Sequence, residues 1–191
     1  MQQLNTAWLD ICASALVIIS LLFLFRKSGW YWVFSNLSVF PYFALFLFTS
    51  QYMLAGLQVS YLIFGIHGQY LWWLEHRRDK RGQSFHEPFW YNLGWVMSLA
   101  IFVYTVFMTR FTDGWAGLQF AITAASLIAN WATTRKWTWS WWLWIAVNAA
   151  QAVLFLHLHL WYQVALQFIL AAMSVRGLIV WQRQAKPIAT P

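Results

Sequence analysis

Apolar runs of about 20 residues, separated by short connections, dominate this chain, and that length is what a helix needs to cross a bilayer core. They cover about Trp8–Phe25, Trp30–Ser50, Tyr52–Leu74, Trp90–Met108, Trp115–Thr134, Thr138–Leu158 and Trp161–Trp181. Lipid offers no hydrogen bonds, so a spanning backbone must satisfy its own amides, and the helix does this within one segment. Pro41 falls inside the second run, where it is expected to kink the helix rather than end it. Composition closes off the soluble alternative. The chain is 61% hydrophobic and 9% charged, against about 25% charged for a soluble domain. The expected fold is an all-α integral membrane protein, one membrane domain over residues 1–191 with seven spans.

The formal net charge of +7 does not point to nucleic acid, because the basic residues sit in the short connections, where topology accounts for them. With the N-terminus outside, eleven of the twelve Lys and Arg residues fall on the inner side and only Arg110 lies outside. That bias predicts an N-terminus outside and a C-terminus in the cytoplasm. No cleavable leader is expected, since the first run lacks a basic flank before it and meets Arg26-Lys27 after it. A lone Cys12 excludes an internal disulfide or a thiolate metal cluster.

The chain also repeats itself. Gln58, Gly68 and Trp72 recur with the same spacing as Gln167, Gly177 and Trp181, at an offset of 109. Trp32 with Asn36 matches Trp144 with Asn148 at an offset of 112. This reads as three spans (about 8–75), a linker span (about 90–108) and three more (about 115–183). One linker span leaves the halves in the same orientation, so the repeats are expected to be parallel, with a substrate site between them near mid-membrane.

Polar side chains within the spans mark where such a site could lie. Trp141, Trp144, Asn148 and Gln151 fall at i, i+3, i+7 and i+10, on one helix face. A buried amide in a bilayer is costly without a partner, so this face should look into a bundle or a cavity. Indole planes beside amides suit a flat, polar, uncharged ring, and helix-to-helix bonding is the competing role for the same amides. Gln119, Thr123, Ser126 and Asn130 form a second stripe, and Gln163, Gln167 and Ser174 a third. With Asn36 and Gln58 they would converge on an uncharged path. The acidic residues Asp10, Glu75, Asp79, Glu87 and Asp113 fall near span ends or in connections, so facilitated diffusion without ion coupling is expected. His157-x-His159, with no further ligand type nearby, reads as an interfacial pair, and no metal or cofactor is expected.

Asn130-Trp131, Thr134-Arg135-Lys136 and Trp141-x-x-Trp144-Ile145-x-x-Asn148 resemble the PnuC family of bacterial vitamin transporters, as do Gln58 and Gly68-Gln69-Tyr70-Leu71-Trp72. The resemblance implies facilitated uptake of a nicotinamide riboside-like vitamin across the inner membrane, trapping of the solute by cytoplasmic phosphorylation, and a homotrimer. Trp144 and Asn148 would stack on and bond to the substrate, with Trp141, Gln151, Asn36, Gln58, Gln167 and Asn130 as further candidates. Where the family carries Gln in its third-helix segment this chain has Leu71, which bears on the substrate rather than the fold. Thiamine is the alternative solute. A membrane enzyme would show a cluster of His or carboxylates within the spans, and a non-transporting assembly subunit would offer more than these small loops.

Overall fold

The structure is a computed structural model. It describes residues 2–80, 96, 99–100, 103 and 114–185, with side chains from residue 7 onward. Six helices are described: α1 (Gln2–Phe25), α2 (Trp30–Phe48), α3 (Tyr52–Asp79), α4 (Gly114–Thr134), α5 (Ser140–His157) and α6 (Trp161–Ala185). The expected linker span Trp90–Met108 lies almost wholly outside the described residues, as do Arg110 and Asp113. Among the described residues, three helices are long and apolar enough to cross a membrane by length and composition: Ala7–Phe25 within α1, α2, and α6.

The helices close into a ring. α1 packs on α2 and α6, α3 on α2 and α4, and α5 on α4 and α6. Large apolar side chains cover the outside, with Phe40 61% and Phe168 67% exposed. A soluble protein would hide such residues, whereas lipid solvates them.

Four helix ends share one turn. Lys27, Ser50, Lys136 and His159 adopt φ between 49° and 59° although none is glycine. Each follows a helix and completes a paired cap. Ser28 N–H donates to Phe23 O and Lys27 N–H to Leu24 O, while Trp137 N–H donates to Ala132 O and Lys136 N–H to Thr133 O. Gln51 with Ser50, and Leu160 with His159, close α2 and α5 in the same way. This left-handed cap usually takes glycine, because a Cβ is strained there.

The caps also set the register of the repeat. Lys27 and Lys136, and Ser50 and His159, stand 109 positions apart. The helix ends Phe25 and Thr134, and Phe48 and His157, do likewise. Trp32 meets Trp72 edge to face (5.4 Å, 80°), and Trp141 meets Trp181 the same way (5.3 Å, 86°). A Cβ on Gly68 would stand 2.5 Å from the Trp32 ring, and one on Gly177 would stand 2.5 Å from the Trp141 ring. The equivalent of Trp32 is therefore Trp141. The expected match of Trp32 and Asn36 with Trp144 and Asn148 is a coincidence of spacing in a Trp-rich helix, and Asn36 corresponds to Ile145.

The halves are stitched by exchanged bonds at one end of the ring. Trp72 Nε1, from the first half, donates to Thr134 O in the second (2.9 Å). Trp181 Nε1 returns the bond to Leu24 O (3.3 Å). Lys136 lies over the Trp72 ring and Lys27 over the Trp181 ring, at 4.8 and 5.0 Å. These bonds bring the C-terminal ends of α1, α3, α4 and α6 together, and with them the basic residues.

Candidate functional site

The ring encloses a cavity of about 140 Å³ lined from all six helices. Among the described residues no charged side chain lines it. Its shape follows from which face of each helix turns inward. α2 offers Tyr31, Ser35, Ser38 and Tyr42, at i, i+4, i+7 and i+11, while Phe40 points to lipid from the same helix.

Seven of the eight candidates from the sequence lie on this wall: Gln58, Asn130, Trp141, Trp144, Asn148, Gln151 and Gln167. Asn36 does not. It packs against α3, where its Oδ1 occupies the space a Gly65 side chain would need. Of the α4 stripe only Asn130 reaches the wall. Gln119 instead donates to Gln51 Oε1 (3.0 Å), and Thr123 donates back to Gln119 O (2.8 Å). Leu71 is buried away from the cavity.

The lining residues differ in how their polar atoms are engaged. Trp144 Nε1 donates to Thr133 Oγ1 (3.0 Å), and Thr133 donates to Ala129 O (2.8 Å). That chain pins the indole from α4 and leaves the ring to the cavity. Tyr61 stands across from it, with centroids 6.5 Å apart. Asn148 Nδ2 donates to Ser174 Oγ (3.1 Å), so this amide also ties α5 to α6 and keeps its carbonyl for other work. Asn130 Oδ1 and Gln167 Oε1 are buried without a protein partner among the described residues. Such atoms cost about 1–3 kcal/mol each unless something bonds to them, and both residues line the cavity. Trp141 is 1% exposed, wedged between Gly177, Trp181 and Phe25. It shapes the wall from behind.

Tyr31, Tyr42 and Tyr61 on the wall, and Asp10, which lies near a span end, are not among the residues expected from the sequence. Asp10 is only 5% exposed and turns inward. It accepts bonds from Gln163 Nε2 and from Ser14 Oγ (3.2 Å). Its i, i+4 spacing to Ser14 on an otherwise apolar face was the available signal. At the basic end a wider recess of about 900 Å³ is lined by Lys27, Trp72, Glu75 and Lys136. Lys136 and Glu75 pair there at 2.6 Å. Burial, and then the Lys136 charge, hold the Lys27 amine below its ordinary value, with Glu75 opposing. His157 lies flat on Trp115, centroids 3.8 Å apart.

Residues 7–183 match the family model for nicotinamide mononucleotide transporters, the PnuC family. The chain belongs to that family. Neither a curated protein nor a solved structure matches it. As a member of this family the protein is a membrane transporter, and the match spans both halves of the ring as well as the segment between them. The PnuC-like Trp–Asn segment thus falls on the cavity wall, through Trp141, Trp144 and Asn148.

Proposed function

We propose that this transporter carries nicotinamide riboside by facilitated diffusion, with phosphorylation in the cytoplasm retaining the solute. The observation that carries the reading is an uncharged cavity in which a pinned indole stands beside buried amide oxygens with no protein partner. Trp144 offers a face to the pyridine ring, and Asn130, Asn148 and Gln167 offer acceptors to ribose hydroxyls and the carboxamide. The same wall argues against the mononucleotide. A phosphate concentrates its charge on oxygens that need Lys or Arg, and burying it without them costs several kcal/mol, whereas the delocalised charge of a pyridinium can be met by the face of an indole. Thiamine, also flat and cationic, remains the second solute this wall would accept.

The basic end, with Lys27, Lys136 and the C-terminal ends of α3 and α6, supports a cytoplasmic placement of that end in a bacterial inner membrane. The N-terminus is then outside, a homotrimer in the bilayer is the assembly, and no catalytic step is involved. The test is a titration on detergent-purified protein, following quenching of its 16 tryptophans. Nicotinamide riboside, its mononucleotide and thiamine are compared. Asn148→Ala removes one ligand bond and should weaken the preferred solute about ten- to a hundredfold. Preference for the mononucleotide, or unchanged affinity in the variant, would overturn the reading.

A further inference from the structure

One carboxylate inside the ring has no role in the wall described so far. Asp10, in α1, is almost fully buried, and among the described residues no Lys, Arg or His pairs with it. Its partners are uncharged: Gln163 from α6 and Ser14 from its own helix. Ser14 Oγ in turn lies 3.2 Å from the Tyr42 hydroxyl on α2. Gln163 and Tyr42 both line the cavity, while Asp10 and Ser14 stand behind them.

An ionised carboxylate only accepts hydrogen bonds, so it orders the groups around it. Ser14 donates to Asp10 and therefore accepts from Tyr42. Gln163 turns its amide nitrogen to Asp10 and its side chain also bonds Tyr42. Two cavity-lining groups are thus tied to a carboxylate that stands behind them with no Lys, Arg or His partner among the described residues. The basic residues sit at the far end of the ring, at Lys27 and Lys136. Asp10 is thus separated from the basic end by most of the length of α1.

We propose that Asp10, ionised behind Gln163 and Tyr42, biases the cavity and its ring subsite at Trp144 toward a permanently cationic flat ring, an N-substituted pyridinium or thiazolium. This rests on the reading of the cavity as a vitamin path, and it assigns that path a charge preference which its uncharged wall alone does not give. Asp10 acts through Gln163 and Tyr42 as a positioning residue. Its charge favours a cation and repels a phosphate, in addition to the desolvation that already disfavours one.

The test uses two solutes of nearly the same shape, nicotinamide riboside and its uncharged dihydro form, titrated against the full chain in detergent. A charge pair across roughly 10 Å at an effective dielectric of about 20 is worth ten- to twentyfold in affinity. Wild type should bind the cation tighter by about that factor. Asp10→Asn should lose the preference by weakening the cation alone, and Asp10→Glu should keep it. Equal affinities in wild type overturn the proposal, and that comparison stands even where Asp10→Asn does not fold. Equal weakening of both solutes in Asp10→Asn also overturns it, since a purely structural residue would do that. A wild type that binds neither solute overturns the vitamin reading, and this subsite with it.

Discussion

Gly177→Ala tests how tightly the scaffold holds the cavity. The added Cβ would stand 2.5 Å from three atoms of the Trp141 ring. Carbon atoms in contact keep about 3.5–4.0 Å, so the ring or the helix must move by about 1 Å. The indole has nowhere to go, being 1% exposed and held edge-on by Trp181 and from the side by Phe25. Overpacking of this kind costs about 1–3 kcal/mol, which at about 2–4 °C per kcal/mol lowers the melting temperature by about 2–12 °C. Because Trp141 lines the cavity, ligand affinity should fall as well. Gly68→Ala crowds the equivalent Trp32, which does not line the cavity, and should cost similar stability with affinity kept. Gly117→Ala, with nothing within 4 Å, is the neutral control. The assay is thermal unfolding in detergent, repeated in a Trp141→Leu background where the crowding is relieved. Unchanged melting in Gly177→Ala, or an equal loss in both backgrounds, would refute the reasoning.

Trp72→Phe removes the shorter of the two exchanged indole bonds and should cost about 1–2 kcal/mol in thermal unfolding, more than Trp181→Phe loses through its longer bond. Ser50→Gly replaces an exposed residue at φ 59° and should stabilise by about 1 kcal/mol, read as a rise in melting temperature. Lys27 has a depressed amine, so its charged form is disfavoured in the folded state, and stability should rise as pH climbs toward the ordinary lysine value of 10.5. Lys27→Met should flatten that rise in pH-dependent melting curves, whereas Glu75→Gln, which removes the opposing charge, should steepen it.

The helices were legible because runs of about 20 apolar residues admit one solution in lipid. Their ends were less so. α3 continues past Leu74 to Asp79 and α6 past Trp181 to Ala185, since hydropathy marks where lipid ends and not where backbone bonding stops. Arg, with Glu75 in α3 and Gln and Ala in α6, is a good helix former and carries both helices onward. The repeat was visible in the Gln58–Gly68–Trp72 triplet, whose register is unambiguous. The Trp32 partner was not, because Trp141, Trp142 and Trp144 crowd one turn and only the contact with Gly177 separates them. Amides on the cavity wall stood out because they are expensive in a bilayer. The α2 tyrosines did not, because a Tyr near a span end serves equally well as an interface anchor. Asp10 lies near the beginning of its span, and position in sequence does not say that its side chain turns inward.

The repeat is symmetric in scaffold and asymmetric in lining. At the 109-position offset Tyr42 corresponds to Gln151, Ser35 to Trp144 and Leu21 to Asn130, while Gln58 and Gln167 alone keep the amide. Duplicated caps and Trp–Gly packing form the ring. Divergence of the inward positions gives the cavity chemically distinct walls.

The central claim is that this uncharged cavity passes a vitamin nucleoside and excludes its phosphate. Uptake into proteoliposomes with identical ions on both sides tests it most directly, using labelled nicotinamide riboside and labelled mononucleotide. The account predicts that the riboside enters until its concentration inside equals that outside, while the mononucleotide enters no faster than into protein-free vesicles. Equal entry of the mononucleotide, or no uptake of the riboside above the protein-free level, would contradict it.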